Sequence, residues 1–271
     1  MVMHVPKPLM AAAAAAIMAC GLAGQLEARP FGKDSLSDPA AQIDEGNLDY
    51  RGIALLGCTR PDGTVAVSNG FLAGHPRLFI ASRASLSLIS DGAIPRCRVQ
   101  FFAADGTLKD TVRVDRWLMP GTGDIQGLVL ARASTYASSV PLARRGFDVR
   151  DLDGKAVLLV TLVRQGSAIV RKAASPGIAK PIGGAAARST GVIMAVSYDS
   201  VSASRGSPVF DGAGNVAGIH GGSHCPSGNS FDPVRCYNEM LLIPPAVRAR
   251  IAAEAEKLNQ PANGRKSGAR E

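Results

Sequence analysis

Short apolar runs separated by turn residues fill the chain from Gly52 to Ile243, and their lengths suit strands better than helices. The first series covers 52–56 leading to Cys58, then 65–67, 78–81, 98–102, 111–118 and 125–130. Pro61-Asp62-Gly63 and Asp105-Gly106 supply turn chemistry between them. After polar stretches at 134–139 and 144–153, a second series covers 155–163, 168–172, 191–198, 208–210, 216–220 and 240–243. Two sets of about six strands predict an all-β chain built as paired barrels or a sandwich. Pro244 and Pro245 then open a segment of good helix formers, 246–258.

The ends of the chain read differently. Lys7 precedes an apolar stretch at 9–19, with small residues at Gly21 and Ala23. That is the pattern of a secretory signal, too short for a membrane span, so residues 1–23 are expected to be a signal peptide and the mature chain to lack a transmembrane segment. Residues 24–47 are polar, carry Pro30 and Pro39, and show no periodicity, as in a flexible leader. The remainder divides into an N-terminal barrel at 48–140, a C-terminal barrel at 141–245, the helix, and a polar tail at 259–271.

Composition adds two constraints. Of 271 residues, 46% are apolar but only 5% aromatic, so the core must rely on Ala, Val, Leu and Ile. The net charge of +8 favours anionic partners, including a cell-envelope surface. The basic residues are scattered, however, with no basic run interleaved with aromatics, so no specific nucleic-acid partner is expected. Without Cys20, four cysteines remain: Cys58, Cys97, Cys225 and Cys236. Three pairings are possible, and proximity favours Cys58–Cys97 and Cys225–Cys236, an oxidised set suited to a secreted or periplasmic protein.

Three blocks carry the chemistry. Ser204-Arg205-Gly206-Ser207-Pro208-Val209-Phe210-Asp211 is followed by Val216-Ala217-Gly218-Ile219-His220-Gly221-Gly222. Upstream lie Leu78-Phe79-Ile80-Ala81-Ser82-Arg83-Ala84 and Asp124-Ile125-Gln126-Gly127-Leu128-Val129-Leu130. Together they resemble the trypsin-like serine proteases, most closely the bacterial glutamyl-endopeptidase branch, with its G-N-S-G-S-P-V-F, I-H-x-G-G, L-T-A-A-H and D-I-A-L-L patterns. The resemblance implies two packed six-stranded antiparallel β-barrels with a C-terminal α-helix and a cleft between the barrels.

Carried over residue by residue, the resemblance places the nucleophile at Arg205, the general base at Ala84 and the orienting acid at Asp124. It places the oxyanion loop at Ala203 and Ser204, and the pocket wall at His220, Gly221 and Gly222. A guanidinium is no nucleophile and a methyl accepts no proton, so acyl transfer is not expected. The expected role is that of an inactive homologue binding a peptide or protein in the cleft. The alternative is an active endopeptidase with its nucleophile moved to Ser204 or Ser207, which needs an imidazole beside one of those hydroxyls. His220 and Arg205 would together form a basic recess for a carboxylate. Asp124 is expected to pair with a backbone amide or with Arg83, and His75 to sit exposed in a turn. His220, His224 and Cys225 lack a fourth ligand once Cys225 is oxidised, so neither a metal nor a cofactor is expected.

Overall fold

The computed structural model describes Leu36 and residues 49–86, 96–118, 124–143, 146–165, 168–182, 193–201, 204–224 and 236–260. The signal segment, most of the leader, Ala203, Cys225 and most of the polar tail lie outside the described residues.

Six strands form the first barrel: β1 (Ile53–Thr59), β2 (Val65–Leu72), β3 (Leu78–Ser82), β4 (Cys97–Phe102), β5 (Leu108–Trp117) and β6 (Ile125–Leu130). Six more form the second: β7 (Ala156–Gln165), β8 (Ala168–Pro181), β9 (Ile193–Val196), β10 (Pro208–Asp211), β11 (Val216–His224) and β12 (Tyr237–Leu242). Each set closes, in the orders β1-β2-β3-β6-β5-β4 and β10-β11-β12-β9-β8-β7. Read from β7, the second ring repeats the strand order of the first, although the two halves share no sequence repeat. A short helix α1 (Val149–Leu152) stands before the second barrel, and α2 (Pro245–Asn259) closes the described chain.

The apolar residues sort into three large cores and a small one of Leu55, Phe102 and Leu162, and strand alternation decides which residue serves which. Even-numbered positions of β1, Ala54 and Leu56, join Phe79, Phe101 and Leu128 inside the first barrel. Ile53, on the opposite face of β1, joins Phe71, Ile80, Val160, Phe210, Ile219 and, from α2, Ile251 in a core shared by both barrels. Leu159, Met194, Tyr198, Val209 and Met240 fill the second barrel. Strands such as β6 are covered on both faces, with all six residues buried, the polar Gln126 included.

β8 runs well past the 168–172 segment expected from the sequence, continuing through Pro176 and Gly177 to Pro181. Its pairing explains the difference. β7 accompanies it along almost its full length, whereas β9 joins only at Ala179–Pro181. Pro176 thus stands where the strand has one neighbour, the place in a sheet where a missing N–H is tolerated.

Arg248 docks α2 onto the barrels. Its buried guanidinium donates to the carbonyls of Ala143 (3.0 Å), Ile243 (3.2 Å) and Ala217 (3.3 Å). Among the described residues, no helix is long and apolar enough to cross a membrane.

Cys58 and Cys97 face each other directly across β1 and β4 and are joined by a disulfide. Cys236 is disulfide-bonded as well. The Cys58–Cys97 bond spans 39 residues of sequence. Chain-entropy arithmetic for a loop of that length gives about 4 kcal/mol of stabilisation. The Cys58→Ala/Cys97→Ala double variant is expected to lose stability on that scale in urea denaturation; a loss under about 1 kcal/mol would contradict it.

Candidate functional site

The turn Ser204–Ser207 is held from both barrels. From the first, the Asn69 backbone N–H donates to the Arg205 carbonyl (3.1 Å). From the second, the Gly206 N–H donates to the His220 carbonyl (2.9 Å), and the His220 N–H donates to the Ser207 carbonyl (2.8 Å). Gly206 has φ +89°, and a Cβ on it would stand 2.1 Å from the Asn69 carbonyl oxygen and 2.9 Å from the Ser82 nitrogen. Only glycine fits a backbone so conformed and so closely approached.

Beneath the turn, three buried polar side chains bridge the barrels. Asn69 Nδ2 donates to Thr161 Oγ1 and to Ser207 Oγ, both at 3.0 Å, while Ser207 Oγ donates to Thr161 Oγ1 at 2.9 Å. Sequence reasoning missed this network. Its one available signal was Thr161, the polar interruption of the apolar run in β7.

The ends of β3 and β6 adjoin the same turn. Ala84 is exposed and opens a 3₁₀ turn, Ala84–Leu86, immediately beyond β3. The Arg83 N–H donates to the Asp124 carbonyl (2.8 Å), and Ser82 pairs with Ile125. The link between Arg83 and Asp124 is thus made by main-chain groups. The three segments that the resemblance assigns to base, acid and nucleophile are thus neighbours where the two barrels meet.

His220 lies on the second barrel's side of this cleft but is only 3% exposed. Its Nδ1 sits 3.0 Å from Tyr198 Oη, and the two rings meet edge-on at 5.6 Å between centroids. Burial, reinforced by the nearby Arg205 charge and opposed by a backbone hydrogen bond to Glu239, lowers the His220 pKa to about 3. The imidazole is therefore neutral at physiological pH, and the recess expected to hold two cations holds one. Tyr198, fully buried, had no role in the sequence reading; its hydroxyl engages Nδ1 of His220.

Arg205 is half-buried, and its side chain lies across Gly222. Gly222 has φ +134°, and a Cβ there would come within 2.6 Å of a guanidinium nitrogen of Arg205. Gly221 is bulged out of register between the His220–Met240 and Gly222–Glu239 pairs. Such a bulge re-aims the strand locally. β10 stops accompanying β11 at Ile219, so from Gly221 to His224 the strand is paired only with β12 among the described residues.

The hydroxyls are committed elsewhere. Ser204 Oγ accepts from the Val201 N–H (3.0 Å), and Ser207 serves the buried network. The other two imidazoles among the described residues are engaged as well. His75, expected to be exposed, is 8% exposed, because the loop and Asn259 cover it. Its Nδ1 accepts from the Arg77 N–H at 3.1 Å. His224 packs on Tyr237 with ring centroids 5.1 Å apart.

The sequence matches no protein-family model and no curated protein. Comparison with solved structures gives clear likenesses. Deg5 matches with a TM-score of 0.52 at 14% identity, over 73% of this chain and 86% of that one. A Glu endopeptidase solved in complex with MPD matches with a TM-score of 0.54 at 12% identity, over 83% and 98% respectively. With two closed six-stranded barrels and a C-terminal helix, this chain has the fold of the trypsin-like serine proteases.

Proposed function

We propose that the protein is exported, does not hydrolyse peptides, and binds a peptide or protein segment in the cleft between its barrels. The observation that carries the binding role is the side of β11 from Gly221 to His224 that no described strand pairs, beside Arg205. A strand with one side unpaired offers main-chain donors and acceptors to an extended segment, which adds to the sheet as a further strand.

Acyl transfer requires a hydroxyl within about 2.6–3.2 Å of an imidazole. In this cleft Ser204 and Ser207 are bonded to other groups, His220 is bonded to Tyr198, and Ala84 presents a methyl. Those contacts argue equally against a nucleophile moved by one or two positions. The Lys7-led apolar segment and the Cys58–Cys97 bond favour an oxidising compartment outside the cytosol.

The purified protein is expected to show no covalent labelling by a fluorophosphonate probe and no turnover of peptides containing Glu or Arg. In-gel fluorescence and mass spectrometry of the peptides measure both. Labelling that vanishes in Ser204→Ala or Ser207→Ala would establish a relocated nucleophile and end the inactive reading.

A further inference from the structure

We infer that the cleft recognises the free C-terminal carboxylate of a peptide, with Arg205 as its counter-ion; this rests on the peptide-binding role proposed above. Four observations on this turn and strand lead there.

The first is an unmatched cation. The ion pairs of the described residues join Asp49 to Arg51, Asp110 to Arg132, and Glu254 to Arg116 and Lys257, and none involves Arg205. Its guanidinium is held in a half-buried position over Gly222 without a carboxylate among the described residues. A planar fork of N–H donors in such a place is matched best by a two-oxygen anion.

The second is an unused donor on the same residue. Along the turn, the Ser204 N–H donates to the Val201 carbonyl, Gly206 to His220 and Ser207 to Ser204, while the Arg205 N–H has no acceptor among the described residues. A backbone N–H left open in a cleft serves an oxygen brought by a ligand. One residue thus offers both a main-chain N–H and a charged side chain.

The third concerns the level at which the charge sits. Gly222 has no side chain, and a guanidinium nitrogen of Arg205 lies within 2.6 Å of the position its Cβ would take, beside the strand edge that no described strand pairs. A segment that pairs with Gly221–His224 and ends at this point brings its terminal carboxylate to the guanidinium and the Arg205 N–H together. The fourth is the state of His220. Buried and bonded to Tyr198, it offers no charge to an acidic side chain lowered into the pocket.

Two degenerate octapeptide mixtures of identical composition, one ending in free acids and the other in amides, test the inference by affinity capture on the immobilised protein with mass-spectrometric readout. The acid mixture is expected to be retained about tenfold over the amide mixture at low salt, the scale of one charge-assisted contact. Arg205→Gln should bring the ratio close to one, and Arg205→Lys should keep part of it; circular dichroism melts of both variants confirm that they fold. Equal retention of acids and amides by the unaltered protein overturns the carboxylate role while leaving cleft binding intact. A preference that survives Arg205→Gln, or enrichment of internal Asp and Glu whatever the terminus, also overturns it. Retention of neither mixture would remove the peptide-binding reading itself.

Discussion

Replacing Lys172 by Met is expected to stabilise the protein at neutral pH by on the order of 3 kcal/mol and to abolish a rise in stability with pH. Lys172, on β8, is 1% exposed, with Nζ donating to the Tyr50 carbonyl at 2.9 Å and standing 5.8 Å from the Tyr50 ring centre. Burial lowers its pKa from 10.5 to about 7; Asp49 opposes the shift and Arg51 adds to it. One carbonyl and the face of a ring replace only part of the ammonium's lost hydration.

The sign follows from proton uptake. Between about pH 7 and 10.5 the unfolded chain holds a proton on this lysine that the folded protein releases, so stability climbs as pH rises through that window. Below the folded pKa both states are protonated and the cost of the buried charge stays constant. A shift of this size corresponds to roughly 5 kcal/mol, of which about 4 remains at pH 7 where the folded lysine is half neutral, and the lost hydrogen bond to Tyr50 subtracts about 1. Urea denaturation of both proteins across roughly pH 6 to pH 10 measures the effect. Parallel pH profiles for the two proteins would refute it.

The second large effect is expected in the opposite direction. Gly206→Ala should cost at least about 3 kcal/mol, a large share of the roughly 5–15 kcal/mol that holds a domain folded. An alanine at φ +89° carries an intrinsic strain of about 1–2 kcal/mol. The added methyl must also displace the Asn69 carbonyl, which lies in a paired strand and cannot turn aside as a flexible side chain would. Because Asn69 ties Thr161 and Ser207 together, the damage is expected to spread into the contact between barrels. Gly212→Ala provides the control: no atom lies within 4 Å of its added methyl, and the change should stay within about 0.5 kcal/mol. Urea midpoints compare the two variants, and a Gly206→Ala protein as stable as the control would refute the expectation.

Both predictions concern residues whose importance is unevenly legible along the chain. Gly206 lies in the block that resembles the protease nucleophile turn, so its sequence context already marked it. Lys172 looked like the polar end of a strand. Its burial arises because β8 runs on beside β7 and brings Lys172 against Tyr50, a residue far away in the chain. Pro176 and Gly177 hid that continuation, since their ordinary meaning is a turn. His75 was misjudged for a related reason: turn residues are usually wet, and only the return of α2 with Asn259 covers this one.

The cleft divides in the same way. A guanidinium at 205 and a methyl at 84 follow from residue identity once the three blocks are aligned. The neutrality of His220 does not, because it depends on the burial of its ring, with Tyr198 from a separate segment closing on it and the Arg205 charge nearby. The unpaired side of β11 likewise depends on where β10 stops pairing.

By itself, the sequence determined an all-β chain of about twelve strands through short apolar runs and turn chemistry, while the resemblance of its three blocks selected paired barrels over a sandwich and put Arg205 and Ala84 at the nucleophile and base positions. Alternation along a strand and the chemistry of a side chain are local properties, readable wherever a residue stands. Tertiary structure alone decided which polar groups lose water: Lys172, His220 and the Asn69–Thr161–Ser207 bridge are each enclosed by remote segments. Desolvation is set by everything that packs around a group, and that neighbourhood exists only after the barrels have closed on each other.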